Sequence, residues 1–266
     1  MISISTPVRA MPTEVKAGAH RVAVGGAVAE SAFAHGICLP SGTELTEVEQ
    51  ERIVATVPGG AANVQDIYPL APLQEGILYH HLSAVKGDPY LLQSCLAFDS
   101  VERVQAFAAA LRQVMTRHDI LRTSIVWQGL TAPVQVVWRQ AELPVQAVAL
   151  ETAQGDAIDQ LRARFDARHW RLDLDQAPLL RLVYALDAEH QRVVAMLLFH
   201  HIAMDHTALA VVSEEMQAIL RGDERLPAPA VPYRNYVAQT RLGVSEQEHE
   251  IFFREMLGDI DEPTLP

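Results

Sequence analysis

Only two cysteines occur among the 266 residues, Cys38 and Cys95, in unrelated contexts and without metal-ligand spacing. That excludes a disulfide framework and a cysteine metal centre, and reads as two reduced thiols of a cytoplasmic protein, Cys38 in a linker and Cys95 in a strand. Basic residues are scarce as well: 21 Lys and Arg stand against 33 Asp and Glu, a formal charge of −12. With no basic stripe to meet phosphates, nucleic acid is excluded as a partner, and the acidic surplus disfavours anionic membranes. Val22 to Leu39 is rich in Ala, Val and Gly but is interrupted by Glu30, His35 and glycines, and it is short for a bilayer span. Met1 to Lys16 lacks the apolar core of a secretory signal. There is no Gly-x-Ser-x-Gly elbow, which argues against a serine hydrolase, and no internal repeat is evident.

What the chain has is apolar content, 49% of its residues, enough for a sizeable core in one large domain or two small ones. Its densest run, Val193 to Phe199, has the length of a strand buried on both faces and leads directly into His200-His201-Ile202-Ala203-Met204-Asp205-His206. Thr207 to Leu220 follows with Leu209, Val212, Met216, Ile219 and Leu220 at helical spacing, and Gly222 supplies the stop. Strand, polar turn, helix is where open α/β sheets tend to place their chemistry. Successive strand residues face opposite ways, so His200 and His201 cannot share a cavity: one packs or braces and the other is free to act. The same divergence argues against a metal held by His200, His201 and Asp205. A packed, hydrogen-bonded histidine pair with no chemistry is the plain alternative.

Local signals place the other elements. Thr43 to Val57 reads as a helix capped by Thr43 or Thr46, the latter with Glu49 as a capping box, with Val48, Ile53 and Val57 as apolar contacts and Pro58-Gly59-Gly60 as its end. Pro72 suits the first turn of a helix to about Leu82, with Leu73, Ile77 and His81 on one side. His80 and His81 diverge by about 100° on that helix, so one partly buried and one exposed histidine is expected and not an ion site. Leu91 to Phe98 reads as a strand. Ser100 caps a helix with Val101, Val104, Ala108, Leu111 and Met115 in period, followed by a strand to Trp127. Pro133 to Trp138 is a further strand, which its proline suggests is at an edge. Gly155 to His169 reads as an amphipathic helix capped by Asp156, and Leu179 to Leu186 with Gln191 to His200 as a hairpin.

Four stretches together carry a resemblance. Tyr68-Pro69-Leu70-Ala71-Pro72-Leu73-Gln74-Glu75-Gly76, Arg117-His118-Asp119-Ile120-Leu121-Arg122-Thr123, Ala177-Pro178-Leu179-Leu180-Arg181 and His200-His201-Ile202-Ala203-Met204-Asp205 resemble, in order, motifs of the condensation domains of nonribosomal peptide synthetases, relatives of chloramphenicol acetyltransferase. The last is similar to the HHxxxDG signature, with His206 where the family has glycine. The resemblance implies an α/β fold of α+β two-layer type: a chloramphenicol acetyltransferase-like lobe with a mixed, mainly antiparallel sheet flanked by helices. It implies amide formation between an acyl or peptidyl thioester and an aminoacyl thioester, each carried on the phosphopantetheine of a partner carrier domain. It implies peptidyl carrier protein domains and adjacent synthetase domains as partners, and no cofactor or metal bound by the domain itself.

In this scheme His201 is the histidine that faces substrate, His200 is structural, and Arg122 is the buried partner of Asp205, a pairing whose loss would cost roughly 3–5 kcal/mol. His206 would add volume and a titratable ring beside His201. Residues 1–43 are expected as a flexible leader, 44–63 as a linker helix, 64–225 as an N-terminal lobe, and 226–266 as a proline-rich crossover and the start of a truncated second lobe. A chain ending there is expected to be inactive alone and to expose an apolar face. The alternative is a non-condensing interaction domain that recruits a carrier protein or a tailoring oxygenase.

Overall fold

The computed structural model describes residues 45–151, 155–223, 230–242 and 246–260. The expected leader, Cys38 and most of the proline-rich crossover lie outside them.

Two sheets form where one was expected. Strand β7 (Arg192–His200) pairs antiparallel with β2 (Leu91–Phe98) on one side and with β6 (Leu180–Asp187) on the other, while β5 (Val145–Ala147) adds to β6 in parallel. The second sheet is β1 (Val64–Pro69), β4 (Val134–Trp138) and β3 (Thr123–Val126), in the order β1-β4-β3. Neither β1 nor β5 has a local signal: β1 carries Asp66 and a register shift, and β5 is three residues long. β4 is central, not an edge. Pro133 precedes the strand, so its missing N–H costs the ladder nothing.

The four-stranded sheet is covered on both faces, which is why β7 reads as a continuous apolar run. Val193, Ala195, Leu197 and Phe199 face α3 (Val101–Arg117) and α5 (His206–Arg221), packing with Val104, Leu111, Val212 and Met216. Val194, Met196 and Leu198 face α4 (Ala157–Arg164) and pack with Leu161 and Phe165. Each of these valine, leucine, methionine and phenylalanine side chains contributes about 1.5–3 kcal/mol when fully buried. Helix α4 is shorter than its pattern suggests. The Asp166 carboxylate accepts from Arg168 N at 2.8 Å, and the Asp166 carbonyl accepts from Trp170 N at 2.9 Å, a competing turn that ends the helix.

Helix α1 (Glu47–Thr56) has the Thr46–Glu49 capping box and buries Ile53 against the three-stranded sheet, although Val48 is exposed. Helix α2 (Pro72–Ser83) buries Ile77 and His81, but Leu73 faces solvent. Helix α6 (Tyr233–Leu242) is tied back by Tyr233 N to the Asp119 carboxylate at 3.1 Å and by Arg234 to Asp66 at 2.7 Å. Helix α7 (Glu246–Leu257) follows, with Ile251, Phe252, Phe253 and Met256 exposed. No helix of the described residues is long and apolar enough to cross a membrane.

Candidate functional site

Strand β7 ends at His200, and the adjacent histidines then part. His200 has no exposed surface. Its Nδ1 accepts from the Ile202 N–H at 3.1 Å, so the ring proton sits on Nε2 and is donated to Asp88 Oδ2 at 2.9 Å. His201 is only partly covered; its N–H donates to the Tyr90 carbonyl at 2.9 Å and its ring Nδ1 to the Met204 carbonyl at 3.3 Å. A carbonyl can only accept, so the neutral ring keeps the proton on Nδ1 and Nε2 is its basic nitrogen.

Asp88 is the residue that motif reading passed over. It is 1% exposed, and its Oδ2 also takes His81 Nδ1 at 2.5 Å, while Oδ1 takes the Tyr90 N–H at 2.9 Å. His80, by contrast, is exposed. The turn that carries Asp88 needs Gly87: φ is +66°, and a Cβ there would lie 2.3 Å from the Ala167 carbonyl, which accepts the Asp88 N–H. Burial alone would raise the Asp88 carboxyl, but the donors from His200 and His81 outweigh it and hold the group well below the usual carboxylate range. Burial pushes the His200 imidazole down, against the pull of Asp88, and keeps it neutral at pH 7. A Gly-Asp turn before a strand is the one available signal, and it says nothing of His200, a partner more than a hundred residues away.

The ligand atoms of His81, Asp88 and His200 lie within 4.8 Å of one another, close enough for a small cation. The hydrogen bonds oppose that use, because with Ile202 N–H on Nδ1 the Nε2 lone pair is replaced by a proton. A second group, Asp156, Asp187 and His190, lies by the β6–β7 hairpin, where Arg192 approaches Asp187 at 2.8 Å and Asp156 at 3.8 Å.

The expected Asp205–Arg122 pair does not form. Asp205 is exposed and caps α5, accepting from Ala208 N at 2.7 Å. Arg122 is buried elsewhere: it donates to the carbonyls of Met115 at 2.9 Å, of Trp138, and of Arg139 at 3.3 Å, and to Gln65 Oε1 at 2.9 Å. Backbone carbonyls at the end of α3 and the end of β4 use its donors, and the helix N-terminus satisfies Asp205, so neither group needs the other. His206 is exposed and is the first residue of α5 with negative φ, so its backbone does not demand glycine.

The other motif residues join elements. Glu215 of α5 is buried and accepts from Arg117 Nε at 2.9 Å, with His118 Nε2 at 3.1 Å, which fixes α5 against the end of α3. Burial would raise the Glu215 carboxyl, and Arg117 and His118 bring it below its ordinary value. Gln74 of α2 exchanges two amide hydrogen bonds with Gln135 of β4 at 2.9 and 3.0 Å and donates to the Ile202 carbonyl at 2.9 Å. The histidine turn is thereby seated on the three-stranded sheet as well as on its own.

Residues 64–265 match a family described as "Condensation domain". Two relatives from Mortierella alpina are similar over 84% of the chain: malpibaldin synthetase, 47% identical, and malpinin synthetase, 45% identical. The chain spans only 4% and 3% of their lengths. The solved condensation domain of the monacolin K polyketide synthase MokA superposes with a TM-score of 0.60 at 17% identity, covering 76% of this chain and 44% of that one. At that identity the likeness is one of fold.

Proposed function

The chain belongs to the condensation-domain family, and from that premise we propose that it forms part of a domain that joins two carrier-bound thioesters through an amide bond in a peptide synthetase. Residues 64–225 act as the first of two lobes and 226–266 as the passage towards the second. The partners are peptidyl carrier domains, which bring the donor and acceptor on phosphopantetheine arms, and the adjacent synthetase domains; the setting is the cytoplasm.

The observation that carries this reading is the state of His201, partly exposed at a strand end with Nδ1 engaged by Met204 and Nε2 basic. The acceptor amine attacks the donor thioester carbonyl, forming the C–N bond. His201 Nε2 accepts the proton that the nitrogen loses, the C–S bond breaks, and the departing thiolate takes a proton back from the imidazolium. Holding both arms in attack geometry supplies the larger share of the rate, and the proton transfer about 10²–10⁴-fold. An interaction-only role leaves the tautomer and exposure of His201 without a use.

The test is made in a complete two-lobed domain that carries this segment, with matched donor-loaded and acceptor-loaded carriers and mass spectrometry of the dipeptidyl thioester. His201→Ala should lower the rate by about 10²-fold or more at unchanged carrier binding. Product formation at the parent rate would overturn the reading.

A further inference from the structure

We propose that Asp88, backed by His81, is a positioning residue that fixes the Nε2–H form of His200 and, through it and Tyr90, the frame that presents His201. The proposal deepens the reading above and rests on it for its kinetic consequence only.

Asp88 reaches the peptide of His201 along two routes. On one, Oδ2 holds the His200 Nε2–H at 2.9 Å, which leaves Nδ1 bare to accept the Ile202 N–H at 3.1 Å, so the residues on both sides of His201 are fixed by one ring. On the other, Oδ1 holds the Tyr90 N–H at 2.9 Å, and the Tyr90 carbonyl accepts the His201 N–H at 2.9 Å. One carboxylate therefore governs the strand end and its neighbour in the ladder. Turning the ring to its other tautomer would place a proton on Nδ1 facing the Ile202 N–H and a lone pair on Nε2 facing the carboxylate, two repulsions in a site without water access.

His81 supplies the third donor to Asp88, from a side chain that is 6% exposed. Its own carbonyl is held by Arg171 at 2.5 Å, which anchors the end of α2. Neutral His200 beside an ionised Asp88 is the state that these contacts favour.

An amide cannot replace this carboxylate. Asn at position 88 has one acceptor and one donor where two acceptors are used, so either Tyr90 or His200 meets an N–H with its own N–H. Water and screening cannot relieve the mismatch at a side chain with 0% exposure.

The experiment begins with the 266-residue chain labelled with ¹⁵N at histidine, reading ring tautomers from long-range ¹H–¹⁵N correlations. His200 is expected protonated at Nε2, bare at Nδ1, and unchanged when Zn²⁺ is added. A proton on Nδ1, an imidazolium at pH 7, or a metal-shifted Nε2 would overturn the proposal. In Asp88→Asn, the His200 pattern should change and the His201 Nδ1 signal should move; in the complete domain, kcat should fall by roughly 10²-fold with the KM for loaded carriers kept, as expected for misplacement of a reacting group. A folded Asp88→Asn with the parent tautomer and kcat also overturns it. Should that variant not fold, His81→Gln and the parent spectrum decide: His81→Gln keeps the His200 contact and should retain the Nε2–H form with a smaller loss of kcat. A parent domain that makes no product would remove the His201 chemistry while the spectra still decide the role of Asp88.

Discussion

The turn that leads into β2 and the turn that leaves β7 each carry an aspartate, and the two are used in opposite ways. Asp205, which belongs to the histidine motif, is exposed and caps a helix through one backbone N–H. Asp88 belongs to no motif and is buried, with two histidine rings and a backbone N–H on its oxygens. A carboxylate in water needs no partner, whereas one at a sheet's interior end must be saturated with donors. Closeness to a functional residue in sequence therefore says little about which acid braces it. Burial decides, and burial depends on chain segments far away.

Substitution separates the two most sharply. Asp88→Ala strands two buried imidazole N–H groups and should cost about 3–5 kcal/mol in chemical denaturation at pH 7. A cost under about 1 kcal/mol, typical of exposed sites, would erase the distinction. The same site governs acid stability. His200 has a folded pKa below its ordinary 6.5 and Asp88 one below its ordinary 3.8, so for both groups the unfolded chain binds the proton first on acidification. The stability they contribute is complete above those values; it falls as pH drops below 6.5, and again below 3.8. Melts of the parent chain that stay flat between pH 7 and 5 would contradict a neutral, buried His200.

Gln74→Ala is the intermediate case. It leaves Gln135 and the Ile202 carbonyl without their amide partner and should cost about 1–3 kcal/mol. A double variant with Gln135→Ala should cost less than the sum of the two single variants, since both remove one shared link. Strict additivity would show that the pair is not coupled.

Asp205→Ala is the smallest. As the loss of a helix cap it should cost about 1 kcal/mol, and adding Arg122→Ala should show no coupling between the two positions. An interaction of several kcal/mol would restore the direct pair that the motif suggested.

Local chemistry explains which parts of this arrangement are legible in the sequence. The Thr46–Glu49 box, Ser100 before α3, Asp156 before α4 and Gly222 after α5 each satisfy backbone groups within four residues, so their signals lie inside one window. β2 and the β6–β7 hairpin follow from apolar runs of strand length. The central place of β4 depends on β1 and β3, and α4 stops early because Asp166 forms a turn with Arg168; neither is visible in periodicity. At the site, His200 and His201 and their divergence are readable from strand alternation. Asp88 is not, because its partners come from α2 and from the end of β7. The partners of Arg122 are not legible either, because a motif conveys residue types and order, while its donors go to three backbone carbonyls and to Gln65 Oε1.

The Gln74–Gln135 link has a consequence for behaviour in salt. Amides carry no net charge, so counterions cannot weaken the contact that seats the histidine turn on the three-stranded sheet. Helix α6, however, is fastened partly by Arg234 to Asp66 and by Arg241 to Glu75, both at 2.7 Å, with the arginines and Glu75 substantially exposed. Above about 0.5 M salt, where the Debye length shrinks to a few ångströms, these outer fastenings weaken first. Ionic strength should thus loosen the segment that leads away from the lobe while the seat of His201 remains as it was, which makes the two separable by salt alone.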